Sequence, residues 1–73
     1  MKLYYKPQVV KQLKKFPKSE KRKLVNKLEK LKEDPNTGKK LKGELEGLRS
    51  LRVWPYRVTY ELKGNKIIIY SIA

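Results

Sequence analysis

Residues 41–62 read LKGELEGLRSLRVWPYRVTYEL. The stretch divides into a glycine-punctuated approach, a strand over Gly47–Val53, a very short connection at Trp54-Pro55, and a second strand over Tyr56–Leu62. In the second strand Tyr56, Val58, Tyr60 and Leu62 alternate with Arg57, Thr59 and Glu61, the period-two pattern of a sheet with two different faces. The apolar set is suited to a core. The other face carries Arg57, and the preceding strand brings Arg49 and Arg52 near it. Three arginines converging on one surface predict a platform for phosphate.

Downstream, Lys63-Gly64-Asn65-Lys66 suits a tight hairpin turn. Lys66–Ile72 (KIIIYSI) is apolar on both sides and reads as a strand covered on both faces. Upstream, Lys2–Tyr5 predicts a first strand. Pro7 suits the opening of a helix over about 7–16, where its missing N–H costs nothing. Val9, Val10, Leu13 and Phe16 form that helix's apolar stripe, and Pro17 closes it. Ser19 is placed to cap a second helix running to about Glu33, with Leu24, Val25, Leu28 and Leu31 as its stripe. Both stripes are expected to pack on Val58, Tyr60, Ile68 and their face neighbours. Asp34-Pro35-Asn36-Thr37-Gly38 is a loop by its turn chemistry. The whole is one α+β domain of order β-α-α-β-β-β, with two helices on one face of a small antiparallel sheet.

Seventy-three residues make a single domain. A chain this short buries only about 60% of its unfolded surface, so a partner can contribute to its stability. It has no cysteine and no histidine, which removes disulfides, thiolate metal sites and the commonest general base. No apolar run approaches the roughly 18 residues of a membrane span, and Met1-Lys2 leads directly into a strand, so a cytoplasmic protein is expected. The net charge is +13. Residues 1–42 hold 15 basic and 4 acidic side chains, residues 43–73 only 5 and 3. Such a field attracts polyanions without selecting among them. The helix lysines (Lys11, Lys14, Lys21, Lys23, Lys27, Lys30) are read as a solvated face whose stems cover apolar surface.

No metal cluster, glycine-rich phosphate loop or Ser/His/Asp set occurs, and the carboxylates are scattered. What remains is a basic and aromatic surface. Arginine forks bind phosphate in two-point geometry, and aromatics stack unpaired bases. Tyr56 and Tyr60 belong to the core face, and Trp54 is placed to cap the end of the sheet. Arg57, between Tyr56 and Val58, gains little structurally from its position and is read as functional.

The pattern L-K-G-x-L-x-G-L-x-S-L-R-V-x-x-Y-R-V-x-Y, here Leu41 to Tyr60, resembles the RelE/ParE superfamily of toxins from type II toxin–antitoxin systems. The order of elements agrees with it along the whole chain. For the RelE-like branch the resemblance implies an endoribonuclease that cleaves mRNA on the ribosome without a metal or other cofactor. There the ribose 2′-hydroxyl attacks the adjacent phosphate, and an antitoxin protein holds the toxin in check. By position, Arg57 and Arg52 match catalytic residues; Arg49, Ser50 and Lys42 are the accompanying RNA contacts. Ser50 stands where several relatives carry a lysine. Family members usually continue with a segment like H-R-x-x-x-Y, and Ala73 stands where it would begin, so RNA affinity is expected to outlast cleavage. Two alternatives stay open: a ParE-like toxin that inhibits DNA gyrase without nuclease activity, and a general basic RNA-binding module.

Overall fold

A computed structural model describes residues 1–40 and 47–73. The elements are β1 (Lys2–Tyr5), α1 (Pro7–Lys15), α2 (Lys18–Lys30), β2 (Lys39–Lys40), β3 (Leu48–Val53), β4 (Tyr56–Lys63) and β5 (Lys66–Ile72). The strands form one sheet in the order β1-β5-β4-β3-β2. Four neighbouring strands are antiparallel, but β1 runs parallel to β5, pairing Leu3 with Ile67 and Tyr5 with Ile69. The sheet is therefore mixed rather than antiparallel throughout. A parallel partner needs a long crossover, and both helices lie in the chain between β1 and the strands that follow. The two-residue strand β2 is a further addition to the expected order.

Pro7 occupies the first turn of α1 as expected. Pro17, not Ser19, stands at the N-cap of α2, with no side-chain cap bond; the helix starts at Lys18, ahead of the serine. Val9, Leu13, Leu24, Leu28 and Leu31 are buried against Val53, Val58, Tyr60, Ile67, Ile69 and Ile72. Val10 is 39% exposed: each helical step turns about 100°, which carries it off the stripe that Val9 starts.

The hairpin register decides which isoleucines enter the core. Lys63 pairs with Lys66 and Leu62 with Ile67, so Ile67 and Ile69 share the face of Tyr60 while Ile68 lies opposite Glu61 on the open side. The expectation that Ile68 packs under the helices is thereby corrected. A bulge then shifts the pairing from Tyr60↔Ile69 to Thr59↔Ser71, which returns Ile72 to the core opposite Val58. Tyr70 is the extra residue, and its hydroxyl donates to Glu61 Oε1 at 2.7 Å. Among the described residues no second layer covers the open face, although β5 was expected to be covered on both sides.

That open face is graded along the strands. One row across the sheet holds Arg52, Arg57 and, through backbone bonds of 2.8 Å in both directions with Arg57, Ala73. The next holds Lys39, Ser50, Thr59 and Ser71, and a third Leu48, Glu61, Ile68 and Tyr4.

Candidate nucleic-acid interface

Arg52 and Arg57 face each other directly across β3 and β4. Because the N–H and C=O of Arg57 both bond to Ala73 on the β5 side, its pairing with Arg52 is of the non-hydrogen-bonded kind, in which side chains come closest. Both are exposed, and among the described residues neither forms a salt bridge. Like charges opposite one another destabilise a sheet unless something negative lies between them.

The pair lines a cleft of about 630 Å³ together with Thr37, Lys39, Lys40, Ser50 and Leu51. Three cations, Lys39, Arg52 and Arg57, share the open face there with the Ser50 hydroxyl, Lys40 lines the cleft from the edge strand, and among the described residues no carboxylate lines it. Lys39 pairs with Ser50, which places it on the same face as the arginines. It is the residue that sequence reasoning missed. A two-residue strand shows no periodicity, and only its pairing brings Lys39 to the site.

Arg49 does not join the cluster. It lies opposite Tyr60, and so on the helix-packed side, where Nη1 donates to the Gly38 carbonyl at 3.0 Å. The convergence of three arginines on one surface is corrected to two. The signal was present in the sequence: counting back from a two-residue turn at Trp54-Pro55 sets Arg52 against Arg57 and Arg49 against Tyr60. Ser50 is half-buried on the cleft wall, and Lys42 lies outside the described residues.

Arg49 belongs to a clasp that fixes the lysine strand. The Gly38 N–H donates to the Tyr60 hydroxyl at 3.0 Å, and that hydroxyl donates to the Pro35 carbonyl at 2.9 Å. A Cβ on Gly38 would stand 2.6 Å from the Tyr60 hydroxyl and 2.9 Å from the Ser50 carbonyl, so only glycine permits this approach. Burial pushes the Tyr60 phenol above its ordinary pKa; Asp34 adds to the rise, while the Gly38 bond and the Arg49 charge oppose it. The phenol therefore stays protonated and able to donate.

Trp54 is 70% exposed and does not cap the sheet. Tyr56, half-buried, stacks on Phe16 with ring centroids 4.9 Å apart. No group of His, Cys, Asp and Glu among the described residues is arranged to hold a metal, and no described helix is long and apolar enough to cross a membrane.

Residues 3–73 match the family described as ParE toxin of type II toxin-antitoxin system, parDE. Solved structures share the fold. The RelBE2 toxin–antitoxin complex of Mycobacterium tuberculosis contains a chain of 24% identity with a TM-score of 0.89, the match covering 97% of this chain and 93% of that one. The YoeB-YefM heterotetramer of Staphylococcus aureus gives 25% identity and 0.80, covering 97% and 92%. The archaeal RelE-RelB complex of Pyrococcus horikoshii gives 25% and 0.80, covering 97% and 90%. No curated protein sequence matches the chain.

Proposed function

The chain belongs to the ParE toxin family of type II toxin–antitoxin systems, within the RelE/ParE superfamily, and from that premise we propose that it is a RelE-like endoribonuclease acting on mRNA at the ribosome. The observation that carries this reading is the pair of arginines, Arg52 opposite Arg57, at the mouth of a cleft lined by Lys39 and Lys40. Opposed guanidinium groups, with no carboxylate partner among the described residues, suit an oxyanion between them, and two-point arginine binding suits phosphate.

In this reading the scissile phosphate sits between the arginines. The neighbouring ribose 2′-oxygen attacks phosphorus, the 5′-oxygen leaves, and the 2′-proton is delivered to the departing oxygen. The products are a 2′,3′-cyclic phosphate and a 5′-hydroxyl. The cleft offers cations and hydroxyls, the chain has no imidazole, and among the described residues no carboxylate lines the cleft. Its contribution is therefore stabilisation of the charge that builds on phosphate, a role in which losing one donor typically costs on the order of 100–1000-fold in rate. The protein acts in the cytoplasm. An antitoxin partner is supported by the relatives solved as toxin–antitoxin complexes, and the net charge of +13 suits an antitoxin segment that is acidic.

The second reading, gyrase inhibition without nuclease activity, is favoured by the family match itself, which is to ParE. One experiment separates the two. The chain is assayed on programmed ribosomes and on gyrase supercoiling, as residues 1–73 and with an H-R-x-x-x-Y segment appended beyond Ala73. Because Ala73 pairs with Arg57, the appended segment starts beside the cleft. The expected outcome is mRNA cleavage by the extended protein, reduced 100–1000-fold by Arg57→Ala. Gyrase inhibition with no cleavage by either form would establish the second reading.

A further inference from the structure

We propose that Trp54 is a stacking shelf for an unpaired nucleobase, the one attached to the nucleotide whose phosphate Arg52 and Arg57 hold. The inference rests on the RNA-binding reading above and adds to it a residue that reads the base rather than the backbone.

Trp54 is 70% exposed, against 43% for Tyr4 and 42% for Met1. It occupies the two-residue connection between β3 and β4, one step beyond the Val53–Tyr56 pair and two beyond Arg52–Arg57. Two residues of extended chain span about 7 Å, a distance that a single nucleotide can bridge from its phosphate to its base. Tyr56, the other aromatic residue at this end, is already stacked on Phe16; the Trp54 indole faces solvent. The connection is tied down, since Lys23 Nζ of α2 donates to the Trp54 carbonyl.

A second cleft, of about 300 Å³, is lined by Arg52, Trp54, Pro55, Tyr56, Arg57 and Ala73. Two guanidinium groups and an indole thus share one concavity, and both arginines also line the larger cleft. An occupant that satisfies both kinds of group is anionic at one end and flat and apolar at the other. A nucleotide of a single-stranded chain fits that description, and a folded duplex, whose bases are already stacked, does not.

Trp54 is the only tryptophan, so its emission reports on the shelf directly. The full chain is titrated with a short single-stranded oligonucleotide carrying 2′-O-methyl riboses, which prevents cleavage, and separately with linear polyphosphate, which has the charge without bases. Binding is followed independently by anisotropy and competition. The oligonucleotide should quench Trp54 emission, and polyphosphate should bind with little quenching. Trp54→Ala should weaken oligonucleotide binding on the order of 10-fold or more and leave polyphosphate binding unchanged, while Trp54→Phe should retain most of the affinity. Oligonucleotide binding with unaltered emission would overturn the proposal. So would equal loss of both ligands in Trp54→Ala, or quenching by an acidic peptide but not by the oligonucleotide. Failure of the underlying reading looks different: Arg57→Ala would then leave oligonucleotide affinity unchanged.

Discussion

In the proposed function, Arg52 and Arg57 occupy strand positions that are unfavourable for folding and that serve binding instead. Each guanidinium raises the electrostatic cost of the other, so replacing one should stabilise the free protein slightly, by a few tenths of a kcal/mol, while weakening its hold on RNA. A rise in melting temperature for Arg57→Ala, together with loss of oligonucleotide affinity, is the expected result. A fall in both would make Arg57 a structural residue. Tyr60 is the opposite case. Its ring is fully buried, and its hydroxyl joins Pro35 and Gly38. Tyr60→Phe leaves the Gly38 N–H without its acceptor and should cost about 1–3 kcal/mol in denaturant unfolding. The phenol also sets a pH dependence. Because burial raises its pKa in the folded state, the proton is held more tightly there than in the unfolded chain, whose tyrosines titrate near 10. Stability should therefore be level below about pH 10 and fall above it, less steeply in Tyr60→Phe than in the parent.

Among the elements, β4 was readable from the sequence because it alternates strictly, and its two faces emerged as expected. β3 was readable as a strand but its faces were not read from its own pattern, because Leu48, Leu51 and Val53 do not share one parity; they follow from the hairpin register, which sends Arg49 to the helix side. β5 is apolar at nearly every position, so periodicity could not tell Ile67 from Ile68, and the bulge at Tyr70 reverses the alternation before Ile72. The short strand β2 left no local signal. Its position depends on Tyr60, 22 residues from Gly38 along the chain. The candidate site was thus half legible: Arg52, Arg57 and Ser50 from strand pattern and resemblance, Lys39 only from tertiary pairing. The clasp yields a prediction at this scale. Gly38→Ala forces a Cβ into the Tyr60 ring and the Ser50 carbonyl, so β2 should shift and carry Lys39 away. Oligonucleotide affinity should fall by about as much as in Lys39→Ala, and a full-affinity Gly38→Ala protein would show that the clasp does not position the lysine.

For the molecule as a whole, the core is a single layer of leucines, valines, isoleucines and Tyr60 on one sheet face, with little to spare. Leu28 is fully buried within it, and Leu28→Ala should cost about 2–5 kcal/mol, a large share of the stability of so small a domain. An unchanged denaturation midpoint would place Leu28 outside the core. The net charge of +13 makes all polyanion binding salt-sensitive, which by itself says nothing of where the ligand sits. If the three open-face cations, Lys39, Arg52 and Arg57, each meet a phosphate of a single strand, the logarithm of affinity should fall with that of salt at a slope of about 2, and by less in Arg57→Ala. The central claim is that the sheet cleft, not the lysine-covered helices, is the ligand's seat, and the four arginines are placed to test it. Arg52 and Arg57 line the cleft, Arg49 is bonded to Gly38 on the opposite face, and Arg22 lies on α2. The most direct measurement is therefore the NMR shift of each arginine Nε–H during titration with a non-cleavable oligonucleotide. The resonances of Arg52 and Arg57 should move together and saturate, with Arg49 and Arg22 nearly still; movement of Arg22 with Arg52 and Arg57 unchanged would contradict the account.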